Sequence, residues 1–190
     1  MGKYSKAKMF NRKAAKSRSK PDRILETLSL KSGQQVVDIG SGGGYYSIGF
    51  AELVGKNGKV YAVDNNPDFL EYIKIIALGK GLKNIETILV NDKVITLPGK
   101  NIDLVFIRNV YHHLPDRVKY FQELRKKLKS DTKIAIIEYT RRGFFSFHRR
   151  FGHNVPKETI VEEMKNAGYV VEESFDFLPE QSFTIFSPAI

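Results

Sequence analysis

The 190-residue chain reads as a doubly wound α/β protein, and three observations predict it. Short apolar runs suited to buried strands alternate with segments of helical period, as βαβ units and a parallel sheet require. The first of these runs ends in an acid and a string of glycines, Val36-Val37-Asp38-Ile39-Gly40-Ser41-Gly42-Gly43-Gly44-Tyr45. The chain closes on two strand-like segments joined by Leu178-Pro179-Glu180-Gln181, a connection suited to an antiparallel hairpin. Five β-then-α units and that hairpin make seven strands, mostly parallel with one reversed.

The elements follow in order. Pro21–Leu28 predicts a short helix with Ile24, Leu25 and Leu28 on one face, broken at Ser32-Gly33. The first strand ends at Asp38. A helix over Tyr46–Val54 packs through Ile48, Ala51 and Leu53 and stops at Gly55, and Asn57-Gly58 turns the chain into a second strand, Lys59–Asp64. Pro67 opens a helix running to about Leu78, with Leu70, Ile73, Ile76 and Ala77 inward and Gly79 and Gly81 at its end. A third strand and the acidic loop after it are expected over Ile88–Asp92, and a fourth strand over Asn101–Ile107. Pro115 opens a helix in which Val118, Phe121, Leu124 and Leu128 repeat at helical period. Four consecutive apolar residues in Lys133–Tyr139 suit a parallel strand covered on both faces. A helix over Pro156–Ala167, buried through Ile160, Val161 and Met164 and capped by Gly168, precedes strands Tyr169–Phe175 and Phe183–Phe186.

Composition narrows the function. No apolar run approaches the ~20 residues needed to span a bilayer, and the basic N-terminus lacks the apolar stretch of a secretory signal. The chain has no cysteine, which excludes disulfides, thiolate metal sites and thiol nucleophiles. A cytoplasmic enzyme is expected. The net charge of +10 is uneven: residues 1–20 hold eight basic residues and no acid, leaving 23 basic against 21 acidic residues, or +2, in 21–190. Residues 1–20 are therefore read as a separate extension or lid on a domain spanning 21–190. Met9, Phe10, Ala14 and Ala15 form a weak apolar stripe that favours docking. Binding of nucleic acid through the basic run is the less favoured alternative, because a charge run alone is poor evidence for it.

The glycine string predicts a ligand pocket at the carboxyl end of the first strand, where glycines let a ligand approach the backbone ahead of a helix N-terminus. A dinucleotide fingerprint needs glycine at 45 or 47, where the chain has Tyr45 and Ser47. The form present is D-x-G-x-G-x-G, filled by Asp38, Gly40, Gly42 and Gly44. It resembles motif I of the class I S-adenosylmethionine (SAM)-dependent methyltransferases. The resemblance continues through Lys59–Asp64, through Ile88-Leu89-Val90-Asn91-Asp92, and through Asn101–Ile107 followed by Tyr111-His112-His113-Leu114. That last segment is similar to small-molecule methyltransferases of the ubiquinone and menaquinone biosynthesis type.

The resemblance implies a Rossmann-like sheet of order 3-2-1-4-5-7-6 and SAM as cofactor, with S-adenosylhomocysteine as product. It assigns Gly40, Gly42 and Gly44 to the methionine and ribose parts, Asp64 to the ribose, Asp92 or Asn91 to the adenine, and Ser41 and Asn65 to the cofactor site without a stated part. Asp38 is left either to hold the turn or to reach the cofactor's ammonium through water, and Arg108 completes the cofactor set. The acceptor is expected to be a small molecule, with an RNA or protein substrate recruited by the basic tail as the alternative.

A base is needed only if the acceptor must lose a proton. The leading candidates are His112, His113 and Tyr139, followed by Glu138, His148 and His153; histidine titrates near neutrality. The plain alternative for the two adjacent histidines is a backbone contact in a first helical turn, with at most one ring inward. Their divergence as an i, i+1 pair argues against a metal site, and none is expected. Arg141, Arg142, Arg149 and Arg150 around Phe144, Phe145, Phe147 and His148 suit a cover over a flat or anionic acceptor, or equally a solvated connector.

Overall fold

A computed structural model describes residues 2–91, 97, 99, 101–140 and 154–189. Its strands are Gln35–Ile39 (β1), Lys59–Asp64 (β2), Ile85–Leu89 (β3), Leu104–Arg108 (β4), Lys133–Tyr139 (β5), Tyr169–Phe175 (β6) and Gln181–Pro188 (β7). They form one sheet in the order β3-β2-β1-β4-β5-β7-β6. The β1–β2, β2–β3 and β4–β5 pairs are parallel, and β7 runs antiparallel to both β5 and β6. The inner strands β1, β2, β4 and β5 are buried almost throughout, as crossover helices on both faces require. The edge strand β3 is half-buried and β6 is largely exposed, meeting solvent with Glu172 and Glu173 beside a bulge, which blunts edge-to-edge pairing.

Residues 1–93 and 94–190 form two compact units. In the first, helices Ser5–Ala14 (α1), Pro21–Leu28 (α2), Tyr45–Val54 (α3) and Pro67–Gly79 (α4) accompany β1–β3. Leu70 and Ile73 of α4 pack on Ala62 of β2 and Ile85 of β3. In α3 the buried face is carried by Tyr46, Phe50 and Val54, whereas Leu53, expected inward, is 43% exposed. The basic N-terminal segment folds as a docked helix. Ala7 and Ala14 of α1 are buried, Phe10 meets Phe69 edge-on at 5.6 Å, and Tyr4 stacks on Tyr72 at 5.4 Å. The docking face thus differs from the expected stripe: Ala7 replaces Ala15, which is exposed.

The second unit carries helices Arg117–Arg125 (α5) and Lys157–Asn166 (α6), and a 3-10 turn over Tyr111–His113. Pro115 precedes α5 without opening it, because Asp116, whose carboxylate accepts the Lys119 N–H at 3.4 Å, takes the cap position. A partly buried network joins the turn to both helices. Glu163 of α6 accepts from the Tyr111 hydroxyl at 2.7 Å and from Arg117 Nε and Nη2 at 2.7 and 2.6 Å. β3 starts three residues before the expected segment, since its register is set by β2 from Val60↔Ile85 to Asp64↔Leu89. No helix of the described residues is long and apolar enough to cross a membrane.

Candidate active site

The loop after β1 is built by backbone geometry. Gly40, Gly42 and Gly44 hold φ of 71°, 54° and 80°, in the left-handed region that side chains disfavour. The Gly40 and Ser41 N–H groups donate to the Val63 carbonyl at 2.8 and 3.0 Å, tying the loop to the end of β2. Gly42 N–H then donates to Asp64 Oδ2 at 2.9 Å, while Asp64 Oδ1 accepts the Asn66 N–H at 2.9 Å. Asp64 is buried, and each of its oxygens keeps a lone pair beyond these bonds. The loop and the acid expected to meet a ribose are therefore one hydrogen-bonded unit.

Asp38 is bonded within the turn. It is 3% exposed, and its Oδ2 accepts the Ser47 hydroxyl at 2.5 Å, pinning the first turn of α3. Ser47 carries no motif signal, because its partner lies nine residues away across a turn. Gly43 belongs to none of the alternate motif positions, yet a Cβ there would collide with the Ala7 carbonyl oxygen and the Asn11 side chain of α1. Asn11 in turn donates to the Gly43 carbonyl at 2.8 Å, and Phe10 lies against Gly42. The basic helix thus packs directly on the glycine loop.

The remaining cofactor candidates divide. Asn65 is exposed, and its neighbour Asn66 caps α4 by accepting the Asp68 N–H at 2.9 Å. Asn91 follows β3 and is exposed, Asp92 lies outside the described residues, and Arg108 ends β4 in the second unit. The donor set of the loop suits an adenosyl ligand. Asp64 has acceptor capacity for hydroxyls, and the Ser41 hydroxyl is buried with no hydrogen-bond partner among the described residues. A buried polar atom left unpaired is costly, and a polar ligand at this loop removes the cost.

In the second unit, His112 and Glu138 meet. Glu138, near the end of β5, is fully buried. Its Oε1 accepts the Tyr139 N–H at 2.8 Å, and its Oε2 lies 3.3 Å from the His112 backbone nitrogen and 3.0 Å from His112 Nδ1. The His112 side chain is 8% exposed, whereas His113 is exposed, so one ring of the pair points inward as expected. The two rings do not diverge, however: their centroids lie 4.0 Å apart with the planes tilted by 48°. Among the described residues no cluster of three or more metal-ligating side chains exists. Tyr139 follows Glu138 on the strand and points to the opposite face, away from the pair.

Asn109, just beyond β4, takes φ 58° and accepts from Gln181 Nε2 at 2.5 Å, a pairing across 72 residues with no sequence signal. A cavity of about 330 Å³ opens by these strand ends, lined by Thr140, Phe175, Asp176, Gln181 and Ser182 among others. His148, His153 and the arginine–phenylalanine cluster over 141–150 lie outside the described residues.

This geometry has relatives. The demethylmenaquinone methyltransferase of Geobacillus stearothermophilus is 23% identical over 67% of this chain and 55% of its own length. The ubiquinone/menaquinone biosynthesis C-methyltransferase UbiE of Cronobacter sakazakii is 23% identical over 83% of this chain and 65% of its own. The chain therefore spans less than two thirds of the length of these curated relatives. Among solved structures, a SAM-dependent methyltransferase from Aquifex aeolicus superposes with a TM-score of 0.79 at 25% identity, covering 90% of this chain and 89% of that one. A family model described as a methyltransferase domain matches residues 30–177, from just before β1 into the hairpin. Glycine loop, strand order and matched span agree, and the chain belongs to the methyltransferase-domain family of SAM-dependent enzymes.

Proposed function

We propose that this chain transfers a methyl group from SAM to a small-molecule acceptor. The observation that carries the reading is the loop whose Gly42 N–H is held by the buried carboxylate of Asp64. A preformed loop of this kind binds without first having to be ordered, which lowers the cost of association. Asp64 would receive the ribose hydroxyls, Gly40, Ser41 and Gly42 the methionine end, and residues 1–20 would act as a lid, supported by the docking of α1 on Gly43. The bound sulfonium supplies an activated methyl group with a good leaving group. The protein's own tasks are then to align the acceptor and exclude water.

The basic α1 supports a second reading, an RNA acceptor, since Lys6, Lys8, Arg12, Lys13 and Lys16 are all exposed. One experiment separates the two. Incubation of the full chain with tritiated SAM, a metabolite extract and total RNA should place label in the low-molecular-weight fraction. Label in RNA would move the acceptor to the second reading, and no label in either fraction would count against transferase activity itself.

A further inference from the structure

The chain carries a formal charge of +10, and its acids find cations readily: Glu71, Glu86, Glu123 and Glu172 each pair with a lysine. Glu158 and Asp176 have no such partner among the described residues. Both line the cavity of about 330 Å³ at the end of β5, and Lys157 lines it too without pairing with either. Two carboxylates against one lysine leave the described lining with a negative excess, in a protein of the opposite sign. The hydrogen-bonding groups lean the same way. Gln181, 9% exposed at the start of β7, gives one N–H of Nε2 to Asn109 Oδ1 at 2.5 Å. Asn109 meets it from a left-handed conformation, φ 58°, with its own N–H donating to the Ile137 carbonyl at 2.8 Å. Asparagine tolerates that conformation at a cost, so its presence reports a constraint. Gln181 lines the cavity, and its Oε1 has no hydrogen-bond partner among the described residues. A buried carbonyl oxygen without a donor is unfavourable. The Thr140 and Ser182 hydroxyls face carbonyl oxygens of Glu180 and Glu138 at 3.4 and 3.5 Å, which directs their hydrogens there and leaves their lone pairs.

We propose that this cavity binds a small molecule through an ammonium group, whose N–H donors meet the Asp176 carboxylate and Gln181 Oε1 while its carbon frame lies against Phe175. Two features oppose a cation here, and both are answered within the cavity. α6 begins at its wall with the positive end of the helix dipole, and Glu158 in the first turn of α6 offsets that end. Lys157 lines the wall with a long aliphatic stem, which lets its charged head stand off in water. Asp176 and Gln181 Oε1 then remain over, an acceptor pair that a hydroxyl satisfies once and an ammonium satisfies twice. Every residue of this site lies in the second unit. Amine binding is therefore independent of the transferase reading above, whose failure would show in SAM calorimetry and leave this cavity as it is.

Three probes that share one carbon skeleton test the proposal on the full chain: phenethylamine, phenethyl alcohol and phenylacetate, titrated into nitrogen-15-labelled protein and followed by NMR. The amine is expected to shift the amide signals of Asp176, Gln181 and Ser182, and to bind about 10-fold or more tightly than the alcohol and the carboxylate. Asp176 is exposed and unpaired among the described residues, so Asp176→Asn keeps the fold. It should weaken the amine about 3- to 10-fold. Lys157→Gln should tighten it about 2- to 3-fold. Glu162→Gln makes the same change of net charge at an exposed position of α6 outside the cavity lining, and should do neither. That control separates a contact in the cavity from the charge of the whole protein. Gln181→Leu, which removes the acceptor and keeps the bulk, should weaken the amine about 10-fold. Phenylacetate binding as tightly as the amine, amine-induced shifts absent from those three amides, or wild-type affinity in Asp176→Asn overturns the proposal.

Discussion

At the residue scale, Asp64 illustrates how one carboxylate serves fold and ligand together. Its two oxygens hold Gly42 and Asn66, so the loop after β1 and the entry to α4 are shaped by the group offered to a ribose. Removing it affects both. Asp64→Ala should weaken SAM binding by about 1–3 kcal/mol through loss of charge-assisted hydrogen bonds, read by calorimetry against S-adenosylhomocysteine as reference ligand. It should also lower unfolding stability, since two partly buried N–H groups lose their acceptor. Unchanged affinity alongside lowered stability would assign Asp64 to the loop alone. Asp38 also anchors the turn through its bond with the Ser47 hydroxyl, so Asp38→Ala should lower stability in urea unfolding.

At the scale of elements, α1 is the piece whose meaning changes most between sequence and structure. As sequence it is a run of cations; as structure it is a helix whose Ala7 and Asn11 rest on the glycine loop. Gly43 marks that contact, because any side chain there meets α1. Gly43→Ala should therefore undock the helix while leaving the left-handed positions 40, 42 and 44 untouched. The expected result is a loss of about 1–3 kcal/mol in urea unfolding, typical of an overpacked site, and rapid tryptic cleavage among Lys6, Lys8, Arg12 and Lys13. Persistence of full-length protein under trypsin would show that α1 docks independently of the loop. The sequence could not disclose this role, because the steric reason for Gly43 sits 36 residues away at Ala7. Strands β5 and β6 were legible to their exact bounds, since four apolar residues in a row and a capping glycine are local signals. β3 was not, because an edge strand takes its limits from its neighbour's register. In the site, Glu138 stood out as an acid ending an apolar strand, but its partner His112 is 26 residues away and emerges only from the topology. Asn109 with Gln181 left no trace at all.

At the scale of the whole molecule, the second unit's stability is set by an aromatic cluster whose polar ends are buried. Phe121 stacks on Tyr111 at 5.7 Å and meets Tyr120 and Tyr169 edge-on at 5.4 and 6.3 Å. Burial pushes all three phenols up from their ordinary value of 10.0, and at Tyr111 the Glu163 carboxylate pushes further in the same direction. At Glu163 itself, burial raises the carboxyl, but hydrogen bonds from Arg117 and Tyr111 outweigh it and hold the group below its ordinary 4.5. The two ends of the pH scale follow. A lowered carboxyl contributes stability that is complete above pH 4.5 and is lost as pH falls below it toward the folded-state value. A raised phenol contributes stability that is complete below pH 10.0 and is lost as pH rises, because the unfolded chain releases protons that the folded one retains. Three such phenols give a decline approaching about 4 kcal/mol per pH unit above that point, at about 1.4 kcal/mol each. Urea unfolding at pH 9, 10 and 11 should show that slope, and Tyr120→Phe, whose shift comes from burial alone, should remove about a third of it. Glu163→Gln should leave the alkaline slope largely in place, because burial is the first cause of every phenol shift, and should flatten the acid limb below pH 4.5 instead. An alkaline limb unaffected by Tyr120→Phe would mean that the cluster admits water before the unit unfolds.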